Sequence, residues 1–339
     1  MDRAGVCLIA LCMITWLQGN NALATESLSA KATNRMVPSK QLAGKTVVIT
    51  GASSGFGRGT ALKLAAQGAN LVIASRRLEA LEELAHQCGP NTIVVQTDVT
   101  NSHDVEKLAQ TAVAKFGRID VWINDAGVGA IGRFLDVPVE DHARVVQTDL
   151  IGVIYGSHCA LKQFQSQHQG VLVNVASVVG EIPIAYYSSY SAAKFGVAGL
   201  DRALRAEMKA DNFKDIHICT VYPMAADTPF WAHAANYSNH TLQPPMLHKS
   251  EPVVDAIVKL VSKPKNEVVV GSTGKLAFAL HRQFPNFVEN NAAKIIEKTQ
   301  INSTAPNTVP TDGILLEPAH DVPEVSGGVA ERLKIEKNQ

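Results

Sequence analysis

The chain has 339 residues, 46% of them hydrophobic and 18% charged, enough for one large α/β domain with appendages and too apolar for disorder throughout. Lysine plus arginine balance aspartate plus glutamate at 31 each, so no overall field draws in nucleic acid. Five scattered cysteines supply neither a disulfide framework nor a metal-ligand cluster, and no metal is implied.

Residues 1–24 read as a signal-like or anchor segment, followed by a linker over 25–43. Met1-Asp2-Arg3 precedes an apolar run from Ala4 to Leu17, and Ala22-Leu23-Ala24 resembles a small-residue cleavage site. A helix of about 14 residues spans roughly 21 Å, short of the ~30 Å hydrocarbon core, which favours a cleaved leader. Lys31, Arg35, Lys40 and Lys45 pull the other way. Positive charge after the apolar run favours a membrane anchor with a cytoplasm-facing domain. Export and anchoring both stay open.

From residue 44 to 274 the pattern alternates between short Val/Ile-rich runs and helical periodicity. Strands are expected at Thr46–Thr50, Leu71–Ser75, Thr92–Val95, Val121–Ile123, Val171–Val175, Ile216–Tyr222 and Glu267–Val270. Few charges interrupt them, as in strands buried on both faces. Helices are expected at about Gly57–Gln67, Leu78–Gln87, Asp104–Phe116, Val139–Gln165 and Tyr190–Lys209. Such alternation demands parallel pairing with crossover helices, hence a doubly wound α/β sheet. Pro223 to Pro252 breaks the alternation and suggests a substrate lid. Met224, Phe230, Trp231, Tyr237 and Met246 in it suggest an apolar ligand, although lids also use such residues to pack. A helical extension is expected over 275–303, covering the sheet edge rather than a membrane. Residues 304–339 are rich in Pro, Gly and polar side chains, the composition of a flexible tail.

Thr50-Gly51-Ala52-Ser53-Ser54-Gly55-Phe56-Gly57 follows the first strand and opens the first helix. Glycines there let backbone approach a pyrophosphate, and the helix N-terminus offers unpaired N–H groups. A carboxylate at the end of the second strand would grip a ribose 2′-hydroxyl, but the strand ends Ala74-Ser75-Arg76-Arg77. Arg76 can pair a 2′-phosphate and Ser75 can add a hydroxyl, which points to NADP(H). Asp98-Val99, after the third strand, would lie beside the adenine, or Asp98 would cap the following turn.

Tyr190 and Lys194 stand at i and i+4, one helical turn apart on one face. A phenol of pKa about 10 becomes a useful base near neutrality only if adjacent positive charge lowers it. Ser177 follows the fifth long strand, where its hydroxyl could hold a substrate oxygen.

These marks together resemble the short-chain dehydrogenase/reductase family, from about Gly44 to Thr228. The marks are T-G-x-x-x-G-x-G at Thr50–Gly57, Asn124-Asp125-Ala126-Gly127, Ser177, Tyr190-x-x-x-Lys194, and Pro223 with Thr228. The resemblance implies a Rossmann-type fold and NADP(H)-dependent interconversion of an alcohol and a carbonyl. It implies Tyr190 as acid/base, Lys194 on the nicotinamide ribose, Ser177 orienting the carbonyl and Thr228 near the carboxamide. It also implies a homo-oligomer through the helices around Val139–Gln165 and Tyr190–Lys209.

The chain departs from the family in three places. Asp125 stands for the second asparagine of N-N-A-G, Met224 for the glycine after Pro223, and Asp149 for a helical asparagine of the Ser-Tyr-Lys relay. An ionised Asp149 would oppose tyrosinate formation. Asp125 and Asp149 motivate the alternative of a catalytically weak NADP-binding sensor or scaffold. Intact Ser177, Tyr190 and Lys194 argue for the enzyme.

Overall fold

The computed structural model describes residues 41–337. The leader, and nearly all of the linker, lie outside the described residues. No helix among the described residues is long and apolar enough to cross a membrane.

Seven strands form one parallel sheet in the order β3-β2-β1-β4-β6-β7-β9. They are β1 (Thr46–Thr50), β2 (Asn70–Ser75), β3 (Thr92–Gln96), β4 (Val121–Asn124), β6 (Gly170–Val175), β7 (Ile216–Tyr222) and β9 (Glu267–Val269). Every expected strand forms within a residue of its expected end. A short second sheet, β5 (Ala130–Ile131) with β8 (Ala235–Asn236), was not legible in the sequence.

Strand alternation sorts the core into two layers. Val47 and Ile49 of β1 face one way, packing with Leu71 and Ile73 of β2. That layer is covered by α1 (Gly55–Ala66), α2 (Leu78–Cys88) and α8 (Glu251–Ser262). Val48 and Val72 face the other way, with Trp122, Leu172 and Ile218. They meet α3 (Ser102–Phe116) and α5 (Gly152–Gln167) through Leu108 and Phe164, and the end of α6 (Ser188–Ala210) through Met208. Burial on both faces explains the continuous Val/Ile runs.

The helix expected over Val139–Gln165 is interrupted. It runs as α4 (Val139–Val146), a π-helical turn over Gln147–Ile151, and then α5. Helix α8 was missed because the lid was carried to Pro252; Pro252 instead sits in the first turn of α8, where its missing N–H costs nothing. The lid also holds a single-turn helix, α7 (Phe230–His233). The extension forms as α9 (Ser272–Gln283) and α10 (Pro285–Ile296), followed by a second π-helical turn, Glu297–Ile301.

The stretch expected to be a flexible tail is laid against the domain and ends in α11 (Val329–Lys337). Leu315 is 1% exposed, and Asn236 and Thr311 exchange backbone hydrogen bonds at 2.8 and 3.1 Å. Main-chain pairing of this kind needs few apolar side chains, so composition does not reveal it.

Candidate active site

Strand order reverses between β1 and β4, and the crevice beyond their C-terminal ends is where open α/β sheets bind ligands. Two loops meet there. Gly51 has φ +71°, and a Cβ on it would lie 2.6 Å from the Ala126 nitrogen, so only glycine lets the β1 turn touch the segment after β4. Thr50 Oγ1 fastens the same junction, accepting the N–H groups of Asp125 at 3.3 Å and Ala126 at 3.5 Å. A Cβ on Gly57 would lie 2.6 Å from the Gly51 carbonyl oxygen. Ser54 caps α1 without a side-chain bond, Ser53 is buried, and Phe56 packs on the core. The first turn of α1 carries no acidic residue, leaving its positive end for an anion.

Asp125 has more than a backbone role. Its carboxyl lies against Gly57, where a Cβ would be 2.9 Å from Oδ2, and burial raises its pKa to about 8 against the pull of Lys194 and the Gly57 N–H.

Helix α6 carries Tyr190 and Lys194 to the sheet's C-terminal edge. Lys194 is buried; its Nζ donates to the Val175 carbonyl at 3.1 Å and lies 3.1 Å from Asp149 Oδ2. The π-helical turn holds Asp149, whose Oδ1 accepts the Val128 N–H at 2.8 Å. Ser177 Oγ accepts the Val179 N–H at 3.2 Å, and its hydroxyl favours the ionised form of Tyr190. Lys194 Nζ is 5.5 Å from the Tyr190 ring centroid. Ser177, Tyr190, Lys194 and Asp149 are thus brought together.

The electrostatics of this cluster differ from the simple tyrosine–lysine picture. Burial opposes the Lys194 charge, but Asp149, Tyr190 and Asp125 outweigh it, and the lysine pKa is raised. Tyr190 also stands above its ordinary value. Burial raises it most; Lys194 pulls it down, and Asp149 and Asp125 push it back up. The expected lowering by Lys194 is present but outweighed.

The cofactor-choice residues are spread along the edge at β2 and β3. Ser75 Oγ accepts the Arg77 N–H at 3.1 Å. The Arg76 guanidinium donates to the carbonyls of Ile314, Leu315 and Leu316 at 2.5, 3.2 and 3.1 Å. Asp98 caps its turn, accepting the Thr100 N–H at 2.9 Å, and pairs with Arg144 at 2.8 Å. Val99 is buried against Gly152 of α5. A cavity of about 590 Å³ opens beside Arg76 and Asp98, lined also by Gln96, Lys107 and Pro318. Gln96 and Lys107 were missed, since nothing in their local sequence ties them to this edge. Thr228 is buried over the cradle; a Cβ on Gly55 would lie 3.7 Å from its Cβ.

Among the lid residues, Phe230 lies against the reaction cluster, its ring 5.6 Å from that of Tyr190. Trp231 packs edge-on to Phe230 at 5.4 Å and donates to the Ala226 carbonyl at 2.9 Å. Tyr237 donates to Asp141, and Met224 packs toward Gly274 at the start of α9. These three serve packing.

Residues 45–238 match the family model described as short chain dehydrogenase. The oxidoreductase YxnA of Bacillus subtilis (strain 168) is 35% identical over 269 residues, covering 77% of this chain and 75% of that protein. Among solved structures, a 3-ketoacyl-(acyl-carrier-protein) reductase from Brucella melitensis, complexed with NADH, superposes with a TM-score of 0.61. It is 27% identical, over 67% of this chain and 97% of that one. An alcohol dehydrogenase from the archaeon Thermococcus sibiricus, complexed with 5-hydroxy-NADP, shares the fold at a TM-score of 0.58 and 24% identity, over 67% and 95% of the two chains.

Proposed function

We propose, given that this chain belongs to the short-chain dehydrogenase family of oxidoreductases, that it is an NADP(H)-dependent enzyme interconverting an apolar alcohol and its carbonyl. The observation that carries the reading is the convergence of Ser177, Tyr190 and Lys194 beside the Gly51–Gly57 turn.

Gly51, Ser53, Ser54, Gly55, Phe56 and Gly57 would cradle the pyrophosphate, and Asp125, Ala126 and Thr228 would line the nicotinamide half. NADP(H) supplies or accepts the hydride. In the reducing direction the Tyr190 hydroxyl gives its proton to the carbonyl oxygen, so hydride plus proton make the alcohol. A hydrogen bond from Ser177 orients that oxygen. The Lys194 ammonium would hold the nicotinamide ribose and stabilise the tyrosinate left behind. Phe230 beside Tyr190 supports an apolar substrate.

NADP(H) rather than NAD(H) is supported by the lack of a carboxylate at the end of β2 and by Arg76 and Lys107 on one cavity. Related solved proteins hold NADH in one case and 5-hydroxy-NADP in another, so the choice rests on these residues. Exposed Ile154 and Phe195, on the two helices expected to pair copies, support a homo-oligomer. The raised Tyr190 pKa favours a second reading, a nucleotide-binding scaffold with little turnover.

The test is oxidation of NADPH and NADH with a panel of apolar aldehydes and ketones, on wild type and Arg76→Ala. The variant should lose about 10- to 100-fold of its NADPH preference, the worth of a charge-assisted bond. Equal use of both cofactors by both proteins would refute the cofactor assignment. Tight NADPH binding without turnover would favour the scaffold.

A further inference from the structure

The C-terminal segment lies on the groups just assigned to the cofactor. Arg76 spends its guanidinium on three successive main-chain carbonyls, Ile314 to Leu316. The Gly55 N–H, at the head of α1, donates to the Glu324 carbonyl at 2.8 Å. Gly327 rests on the backbone of Thr228, where a Cβ would lie 2.2 Å from the Thr228 oxygen. Leu315 is buried among Val128, Val137 and Val145, in the apolar cluster that also receives Tyr190. The segment therefore touches the adenosine end, the pyrophosphate turn and the nicotinamide end of one cleft.

It is also fastened along its length. Asp321 pairs with Arg77 at 3.0 Å and His233 at 2.7 Å. Asp227 accepts the Val329 N–H at 3.0 Å, anchoring the start of α11 to the lid. Asn236 and Thr311 bridge the lid to the segment upstream.

We infer that residues 314–328 are an intramolecular occupant of the nucleotide cleft, which the dinucleotide displaces when it binds. This rests on the cofactor assignment above. The reason is stoichiometric: the Gly55 amide has one proton to donate and spends it on Glu324, and three of the five N–H donors of Arg76 are already engaged. A nucleotide taking these donors must release the segment, and its apparent affinity is the intrinsic one reduced by the open fraction. The carbonyls are neutral, so a charged 2′-phosphate competes for Arg76 better than a 2′-hydroxyl does. A segment that either nucleotide must displace masks the site equally for both, so the choice between them stays with Arg76 itself.

The experiment uses the full chain. Gly313→Ala combined with Gly327→Ala introduces methyl groups 2.2 Å from the His233 and Thr228 oxygens and should lift the segment. Asp321→Ala, which removes the Arg77 ion pair and the His233 hydrogen bond, is the independent milder variant. Affinities for NADPH and NADH are measured by calorimetry, and amide exchange over 314–328 with and without NADPH. NADPH and NADH should both bind the lifted variants more tightly, by the same factor of about ten. In wild type, NADPH should speed exchange over 314–328. Unchanged or weaker binding in the variants, or slower exchange on adding NADPH, would overturn the inference and make the segment a clasp over bound nucleotide. No affinity for either nucleotide in any protein would overturn the cofactor assignment, and this inference with it.

Discussion

Replacing Asp149 by asparagine keeps the shape and removes one buried negative charge from the Tyr190 cluster. Asp149 Oδ2 lies 3.1 Å from Lys194 Nζ, which is 5.5 Å from the Tyr190 ring centroid. The carboxylate is therefore within about 9 Å of the ring. At an effective dielectric of about 20, a unit charge at that distance is worth about 1.8 kcal/mol, slightly more than one pKa unit. Lys194 keeps its bond to the Val175 carbonyl, so its ammonium stays in place. Asp149→Asn should lower the tyrosine pKa by about one unit. The ionisation needed for alcohol oxidation should then move to lower pH by the same amount. The assay is the pH profile of kcat/KM for oxidation with NADP⁺, measured beside wild type with thermal unfolding as a control on folding. An unmoved limb, or one displaced to higher pH in a stably folded variant, would refute the argument that Asp149 opposes tyrosinate formation.

Asp125 makes a second pH-dependent prediction. Its folded pKa of about 8 stands above the ordinary value, so the fold favours the neutral acid. That stabilisation is fully present below the ordinary value of 3.8, declines as pH rises from there and is gone above about 8. A carboxylate forming beside the phosphate cradle should weaken NADPH binding as pH passes about 8, and Asp125→Asn should flatten both dependences in titrations of affinity and of urea stability. Gly51→Ala forces a side chain into a left-handed backbone 2.6 Å from the Ala126 nitrogen and should cost about 2–4 kcal/mol of unfolding free energy. A loss below about 0.5 kcal/mol in urea melts would show that the two loops do not need this contact.

The sheet was legible because strands buried on both faces must be apolar throughout, and Val47 to Ile49 or Leu71 to Ile73 leave no alternative. The cradle and the Tyr190–Lys194 pair were legible because both depend on fixed local spacing. The π-helical turn was not: one extra residue within a helix scarcely disturbs a 3.6-residue period, yet it carries Asp149. The ionic balance around Tyr190 was also hidden, since Asp125, Asp149 and Lys194 meet only through the fold. Ser250-Glu251-Pro252 is a good helix start that the length of the lid obscured. Residues 304–339 read as a flexible tail because the attachment of the described part uses backbone carbonyls and a few ion pairs, neither of which composition records.

The most direct measurement is single-turnover hydride transfer from saturating NADPH to an accepted carbonyl, comparing wild type with Tyr190→Phe. The proton given by the phenol should be worth about 100-fold or more in rate, with NADPH affinity little changed. Equal rates in the two proteins would contradict the assignment of proton transfer to Tyr190.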